Sequence, residues 1–216
     1  SGTDVTGGAV TLQTLDATTG DIGASGDAIS LAATSLTTDS SASGDDQFLS
    51  EVGSVSVTSV DVGVGTLEIS GGEFDLTTEA IANTSSVSVE SAATLDINGV
   101  TDTFDALSIA SGGIVSGAGT LAANVSGAAG SAITSGGTLI LGNAASSTGF
   151  ATEGTLTANS GHVVTLNDSD LALLGSSTVV NGTLVAANGL SMSSGDTVSG
   201  GGTITADLST NSGSIK

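Results

Sequence analysis

The side chains able to do chemistry are almost all carboxylates: 22 Asp and Glu stand against one Lys, one His, no Arg and no Cys in 216 residues. Three groupings have a spacing worth weighing as oxygen ligands: Asp45 with Asp46, Asp96 with Asn98 and Asp102, and Asp168 with Asp170. A hard cation such as Ca2+ takes roughly six to eight oxygens. Asp168 and Asp170 are the best pair, because residues two apart on an extended strand project from one face. They are the metal-ligand candidates of this chain. No grouping has the spacing of an EF-hand loop or of the Gly-Gly-x-Gly-x-Asp nonapeptide, so solvated surface carboxylates are the plainer reading of each. The sequence requires no cofactor, and Ca2+ is the one it could take.

Paired carboxylates can also hydrolyse glycosides, which needs two of them flanking a bound sugar. Here there is no Trp or Tyr to hold the sugar and no Arg to orient an acidic one. His162 is the sole imidazole, and a Ser-His-Asp arrangement also needs one positioned Ser. With Ser this abundant, none stands out. Phe48, Phe74, Phe104 and Phe150 could line a ligand site, but filling wide parts of a core is their ordinary role. Sequons at Asn83, Asn124, Asn167 and Asn181 are expected in any chain so rich in Asn, Ser and Thr. No catalytic residue is assigned, and the chain reads as a non-enzyme.

A net charge of −21 bounds the partners. Phosphate backbones are bound through Lys and Arg that displace counterions, so nucleic acid is excluded and anionic membranes are repelled. Divalent cations are the natural counter-species. No apolar run reaches the length of a membrane helix, so membrane insertion is not expected. The opening SGTDVTGG lacks a signal peptide's basic and apolar regions, which places any export signal outside this sequence.

The elements that must position these groups follow from composition. Aromatics make up 2% of residues against 38% hydrophobic overall, so the core is built from Ala, Val, Leu and Ile and must be thin. With 33 Gly and no Pro, the corners fall to Gly, Asn, Asp and Ser, which tolerate left-handed backbone. The abundance of Val, Ile and Thr argues against disorder.

A short motif recurs seven times: GTLEIS from Gly65, ATLDIN from Ala93, GTLAAN from Gly119, GTLILGN from Gly137, GTLTAN from Gly154, GTLVAAN from Gly182 and GTITAD from Gly202. In each copy apolar residues sit two apart, the signature of a strand with one buried face. Successive copies lie 17 to 28 residues apart, which suits one coil of a solenoid. The copies therefore predict Leu67, Leu95, Leu121, Leu139, Leu156, Leu184 and Ile204 in register along one interior face. A longer duplication aligns Leu107–Ala132 with Leu190–Ile215 at an offset of 83, with 13 of 26 positions identical. That offset predicts about four coils. The expected fold is all-β, a right-handed parallel β-solenoid of about ten coils. Residues 1–62 form N-terminal coils with weaker repeats and a protruding acidic loop near 38–48, and residues 63–216 continue them as regular repeats.

The stretch from Gly65 to Leu121, GTLEISGGEFDLTTEAIANTSSVSVESAATLDINGVTDTFDALSIASGGIVSGAGTL, resembles the autotransporter-associated β-strand repeat and haemagglutinin-like bacterial surface β-helix proteins. Gly112 to Asn143 and Gly195 to Ile215 resemble it more loosely. The resemblance implies a β-helical stalk in a large secreted or surface protein of bacteria. The functional expectation is an extracellular or cell-surface structural solenoid, either a stalk segment of an adhesin or a subunit stacking end to end into a fibre. Its partners would be further copies at the open ends and divalent cations. The alternative is a solenoid that binds ice or polysaccharide, with a glycoside hydrolase third. Ranked Thr would favour ice, but among the seven motif copies Thr-x-Thr occurs only at Thr155 and Thr203.

Overall fold

The computed structural model describes residues 2–14, 20–42 and 44–216. Leu15 of the VTLQTL motif and Ser43 of the expected acidic loop lie outside the described residues. The chain forms 20 strands, and every pairing between them is parallel. Among the described residues there is no helix. The result is a right-handed parallel β-solenoid of about nine turns.

Local sequence explains the strands. In β5 (Thr66–Ile69) Leu67 and Ile69 are buried while Thr66 and Glu68 face outward, and β8 (Ala93–Asp96) repeats the pattern with Ala93 and Leu95. Alternation buries one face of each strand, and stacking the strands closes those faces around a single core. Corners need backbone that side chains resist. At Gly72, φ is +73° and an added Cβ would lie 2.3 Å from the Glu51 carbonyl oxygen, so only glycine fits.

Three parallel ladders stack the coils, the third of them from Thr101 onward. In the first, Gln47, Leu67, Val87, Leu107 and Val125 lead to Phe150, and Ala172, Leu190 and Leu208 carry it on. The second stacks Val55, Phe74, Leu95, Val115, Ile133, Leu156, Thr178, Val198 and Ile215. On the third, Gly119, Leu139, Val164, Leu184 and Ile204 form one interior column. Both β3 (Gln47–Glu51) with β5 and β4 (Ser54–Asp61) with β6 (Gly72–Leu76) carry the ladders across residue 62.

These columns overturn the expectation of one common face for the seven motif copies. Leu67 lies on the first ladder, Leu95 and Leu156 on the second, and Leu139, Leu184 and Ile204 on the third. Leu121 is also on the third, in the adjacent column with Leu141, Leu166, Ala186 and Ala206. The motif encodes a glycine corner followed by a strand, and each turn has several such corners. Motif spacing is therefore not the coil repeat. The coil itself varies: 18 residues separate Leu107 from Val125, and 25 separate Val125 from Phe150.

The duplication does measure turns. Leu107 reaches Leu190, and Val115 reaches Val198, in four steps of their ladders. On the third ladder the copies slip by two positions, because Gly117 faces Ser135 whereas Gly119 faces Leu139. A wider coil has been taken up at that point without disturbing the other two faces.

The 38–48 segment is less of a loop than its composition suggests. Asp39 ends β2 (Ile29–Asp39) and Gln47 begins β3. Gln47 is fully buried in the first column, and its amide is satisfied by Thr38 Oγ1 at 2.5 Å, Ser40 Oγ at 3.1 Å and the Asp61 carbonyl at 3.1 Å. A sealed polar layer anchors this segment, leaving only the turn between the strands to carry Asp45 and Asp46.

Candidate functional site

The densest chemical grouping among the described residues is Glu73, Asp75 and Asp96, each offering a carboxylate oxygen within 4.8 Å of the others. Glu73 and Asp75 sit two apart on β6 and so share its outer side. Asp96, on β8, is the direct cross-strand partner of Asp75 one coil further on. Asp96 Oδ1 accepts the Asn98 N–H at 2.9 Å and Oδ2 accepts the Ser116 hydroxyl at 3.1 Å. The Glu73 carboxyl is pushed above its ordinary value, first by a hydrogen bond to Asp75, then by burial and by repulsion from Asp75 and Asp96. A group of this kind can hold a shared proton or take a cation, and it lines neither the cleft around Val60 and Ala80 nor the groove around Ser126 and Leu173.

Of this trio only Asp96 is expected as a ligand from the sequence, and with other partners, Asn98 and Asp102. Glu73-x-Asp75 is visible as a strand pair, but Asp96 joins it only because one coil separates them, and coil lengths are not legible. Asp168 and Asp170 are not in the trio. Asp168 is 4% exposed, and its carboxylate accepts the Phe150 N–H and the Asp170 N–H, both at 2.9 Å. It pins a corner, while Asp170 is exposed to solvent. The side chains therefore do not share one strand face.

The other groupings are also spent on backbone. Asp45 accepts the Gly20 N–H, and Asp46 Oδ1 accepts that of Thr66 at 2.8 Å. Asp96 faces outward and Asn98 is exposed, whereas Asp102 is sealed inside. Asp102 Oδ2 accepts the Ala80 and Ile81 N–H groups at 3.0 and 3.1 Å, and Oδ1 accepts that of Thr103 at 2.9 Å. Residues 77–85 contain no strand, only the Val60–Ile81 bridge, so this carboxylate stands in for missing ladder acceptors. Burial pushes its carboxyl up, against the opposing pull of those three N–H groups.

His162 does not activate a nucleophile. Its Nδ1 lies 3.0 Å from the Ser135 carbonyl oxygen, a contact that needs a proton on Nδ1. That leaves Nδ1 no lone pair for the Ser135 hydroxyl, 3.4 Å away, which instead accepts the Asn159 N–H at 2.9 Å. Phe74 and Phe150 are buried on different ladders, Phe104 is buried and Phe48 is half-buried. They do not form one cluster. Asn83 and Asn181 are exposed, and Asn124 and Asn167 half-buried.

An open groove of about 910 Å³ crosses several coils and is lined by Ser108, Ser126, Ala151, Leu173 and Ser191 among others, with Glu153 and Asp196 also contributing. Its lining contains neither imidazole nor cation. Charge is unevenly placed along the rod. Seventeen of the 22 acidic residues lie at or before Asp105 and only five after it, so repulsion is concentrated in the first half. Comparison with protein-family models, with curated proteins and with solved structures finds no match for this chain.

Proposed function

We propose that this chain is a non-enzymatic, extracellular or cell-surface structural protein, a solenoid that serves as a stalk segment of a bacterial surface adhesin or as a subunit of an axial fibre. The observation that carries this reading is the continuity of the first two ladders, joined by the third from Thr101 onward, which makes a stacked rod the main product of the sequence. The Gly65–Leu121 resemblance to haemagglutinin-like surface repeats points the same way. The interior columns run out at Leu208 and Ile215, which are 42% and 49% exposed while their column neighbours Leu190 and Val198 are buried. Such an end templates a further coil, from flanking chain or from a second copy. Divalent cations are the expected small partners, through carboxylates stacked on successive coils.

Electron microscopy combined with sedimentation tests the reading. One chain gives a rod of about 43 Å at about 4.8 Å per turn, and axial association lengthens it in whole multiples as salt rises. Compact particles that neither lengthen nor sediment faster at high concentration and high salt would count against it.

A further inference from the structure

The third ladder has an outer surface unlike the rest of the molecule. Thr101, Thr120, Ile140, Thr165, Val185 and Thr205 are cross-strand partners in succession, an unbroken column over six coils. Beside it, Val163, Thr183 and Thr203 form a second column. All nine positions are β-branched and none is charged. Strand propensity alone favours such residues, but it acts equally on the second ladder. There the outward column reads Ser56, Asp75, Asp96, Ser116, Thr134, Thr157, Val179 and Ser199. Something besides strand formation has kept the third face uniform.

The face is also regular in two dimensions. Neighbouring coils stand about 4.8 Å apart, and outward residues two apart along a strand are separated by about 6.6 Å. Beneath the outer columns Leu139, Leu141, Val164 and Leu184 are fully buried, so the lattice is held rigid. Stiff χ1 rotamers hold each methyl and hydroxyl in a fixed direction. In a chain of net charge −21, the two columns themselves carry no carboxylate; Asp105 and Asp207 are exposed further along the strands Thr101–Ile109 and Thr203–Asn211, and Asp102 is buried.

We propose that this face binds ice. The partner fits in charge and in form: a neutral, repeating array of water against neutral, repeating columns of methyls and hydroxyls. The methyls order the water they cannot bond, the hydroxyls hydrogen-bond to it, and the fixed spacing presents that water as a sheet a crystal can incorporate. A mobile ligand would need no such lattice. This goes beyond the structural role, since a stalk needs only the interior columns, and the sequence could not show it. Of the three Thr-x-Thr runs, Thr101-x-Thr103 and Thr203-x-Thr205 lie on this ladder and Thr155-x-Thr157 on the second. The columns that matter come from TLI, VVT, TLV and TIT.

The test uses the whole chain and measures thermal hysteresis and ice-crystal faceting for the wild type, Thr165→Tyr, Thr183→Tyr and the second-face control Thr157→Tyr. Circular dichroism and melting temperature establish that each variant is folded. The expected result is faceting by the wild type and the control, with hysteresis falling at least tenfold in Thr165→Tyr and Thr183→Tyr. Absence of faceting by folded wild type at millimolar concentration overturns the proposal, as does equal loss in the control. Concentration-dependent dimers abolished by Thr165→Tyr, without ice binding, would assign the face to a second copy and overturn it equally. Rods seen by microscopy without faceting would leave the structural role standing and remove this one alone.

Discussion

Ala92 and Gly112 occupy the same corner on consecutive coils, joined by the Ala92 N–H donating to the Gly112 carbonyl at 3.2 Å. Both are left-handed, with φ of +68° and +85°. Gly130 continues the corner at +86°, accepting the Gly112 N–H at 3.0 Å. Ala92 is the one non-glycine residue with positive φ among the described residues, and its Cβ makes that conformation cost about 1–2 kcal/mol. Ala92→Gly should stabilise the solenoid by about 0.5–1 kcal/mol after glycine's greater loss of chain entropy. Equilibrium denaturation of the two proteins checks it, and a lower midpoint for the variant would contradict it.

Asp75 and Asp96 stack carboxylate over carboxylate, and like charges placed directly opposite are destabilising by up to about 1 kcal/mol. Asp96→Asn removes the repulsion while keeping an acceptor for the Asn98 N–H. It should raise the melting temperature by a few degrees at low salt. Ca2+ or Mg2+ should raise that of the wild type more than NaCl of equal ionic strength does, and the difference should shrink in the variant. Equal responses to all salts would show simple screening.

Three carboxyls have raised values in the folded state, and their sign sets the pH profile. Burial raises Asp102, burial followed by repulsion from Glu90 and Asp46 raises Glu68, and the Asp75 hydrogen bond followed by burial raises Glu73. Such groups take up protons more readily folded than unfolded, so stability rises as pH falls from neutrality through their folded values. Asp39 acts oppositely. Hydrogen bonds from Ser41 hold it below 3.8, and its contribution is lost as pH falls through that lowered value. The melting temperature should therefore climb from pH 7 toward about pH 4.5 before declining in stronger acid. A monotonic fall from pH 7 downward would be incompatible with these assignments.

Asp102→Ala would leave the Ala80 and Ile81 N–H groups unpaired in a buried place. A loss of about 1–3 kcal/mol follows for such unsatisfied groups, concentrated where residues 77–85 leave the ladder. Hydrogen exchange should show Ala80 and Ile81 losing protection while Leu139 and Leu184, far along the rod, keep theirs.

Gln47→Leu would put an apolar group of similar size into an otherwise apolar column, yet it strands Thr38 Oγ1 and takes one of two donors from the Asp61 carbonyl, which keeps the Ser40 N–H. The expected cost is about 1–3 kcal/mol, read from chemical denaturation. An unchanged or raised midpoint would mean that the polar layer is dispensable.

What the sequence could disclose was local. Alternation in TLEI and ATLD, and the glycine that opens most of the motif copies, are set by neighbours two or three residues away, and the structure follows them. The face on which each copy lands depends on the cumulative length of every corner before it. That is why Leu67, Leu95 and Leu139 look equivalent in sequence and lie on three different ladders. The same arithmetic hid the trio of Glu73, Asp75 and Asp96, and let Asp168 and Asp170 pass for a pair although a corner intervenes. Gln47 and Asp102 were unreadable for another reason. Polar residues inside a core are recognised by their partners, and those partners are side chains and backbone groups brought in from other strands and turns.

The correspondence of Leu107 with Leu190, and of Val115 with Val198, restricts how such a molecule can grow. Duplicated material inserted as a whole number of revolutions leaves everything downstream in its former orientation about the long axis. An insertion one third of a revolution longer would swing the remaining rod by about 120 degrees, exchanging every downstream face for its neighbour. Loops at the corners escape this restriction, because they add residues without adding rotation, as the 18- and 25-residue coils show. Lengthening is thus quantised while decoration is free, and a surface that must stay aligned over many coils can be inherited intact as the rod extends.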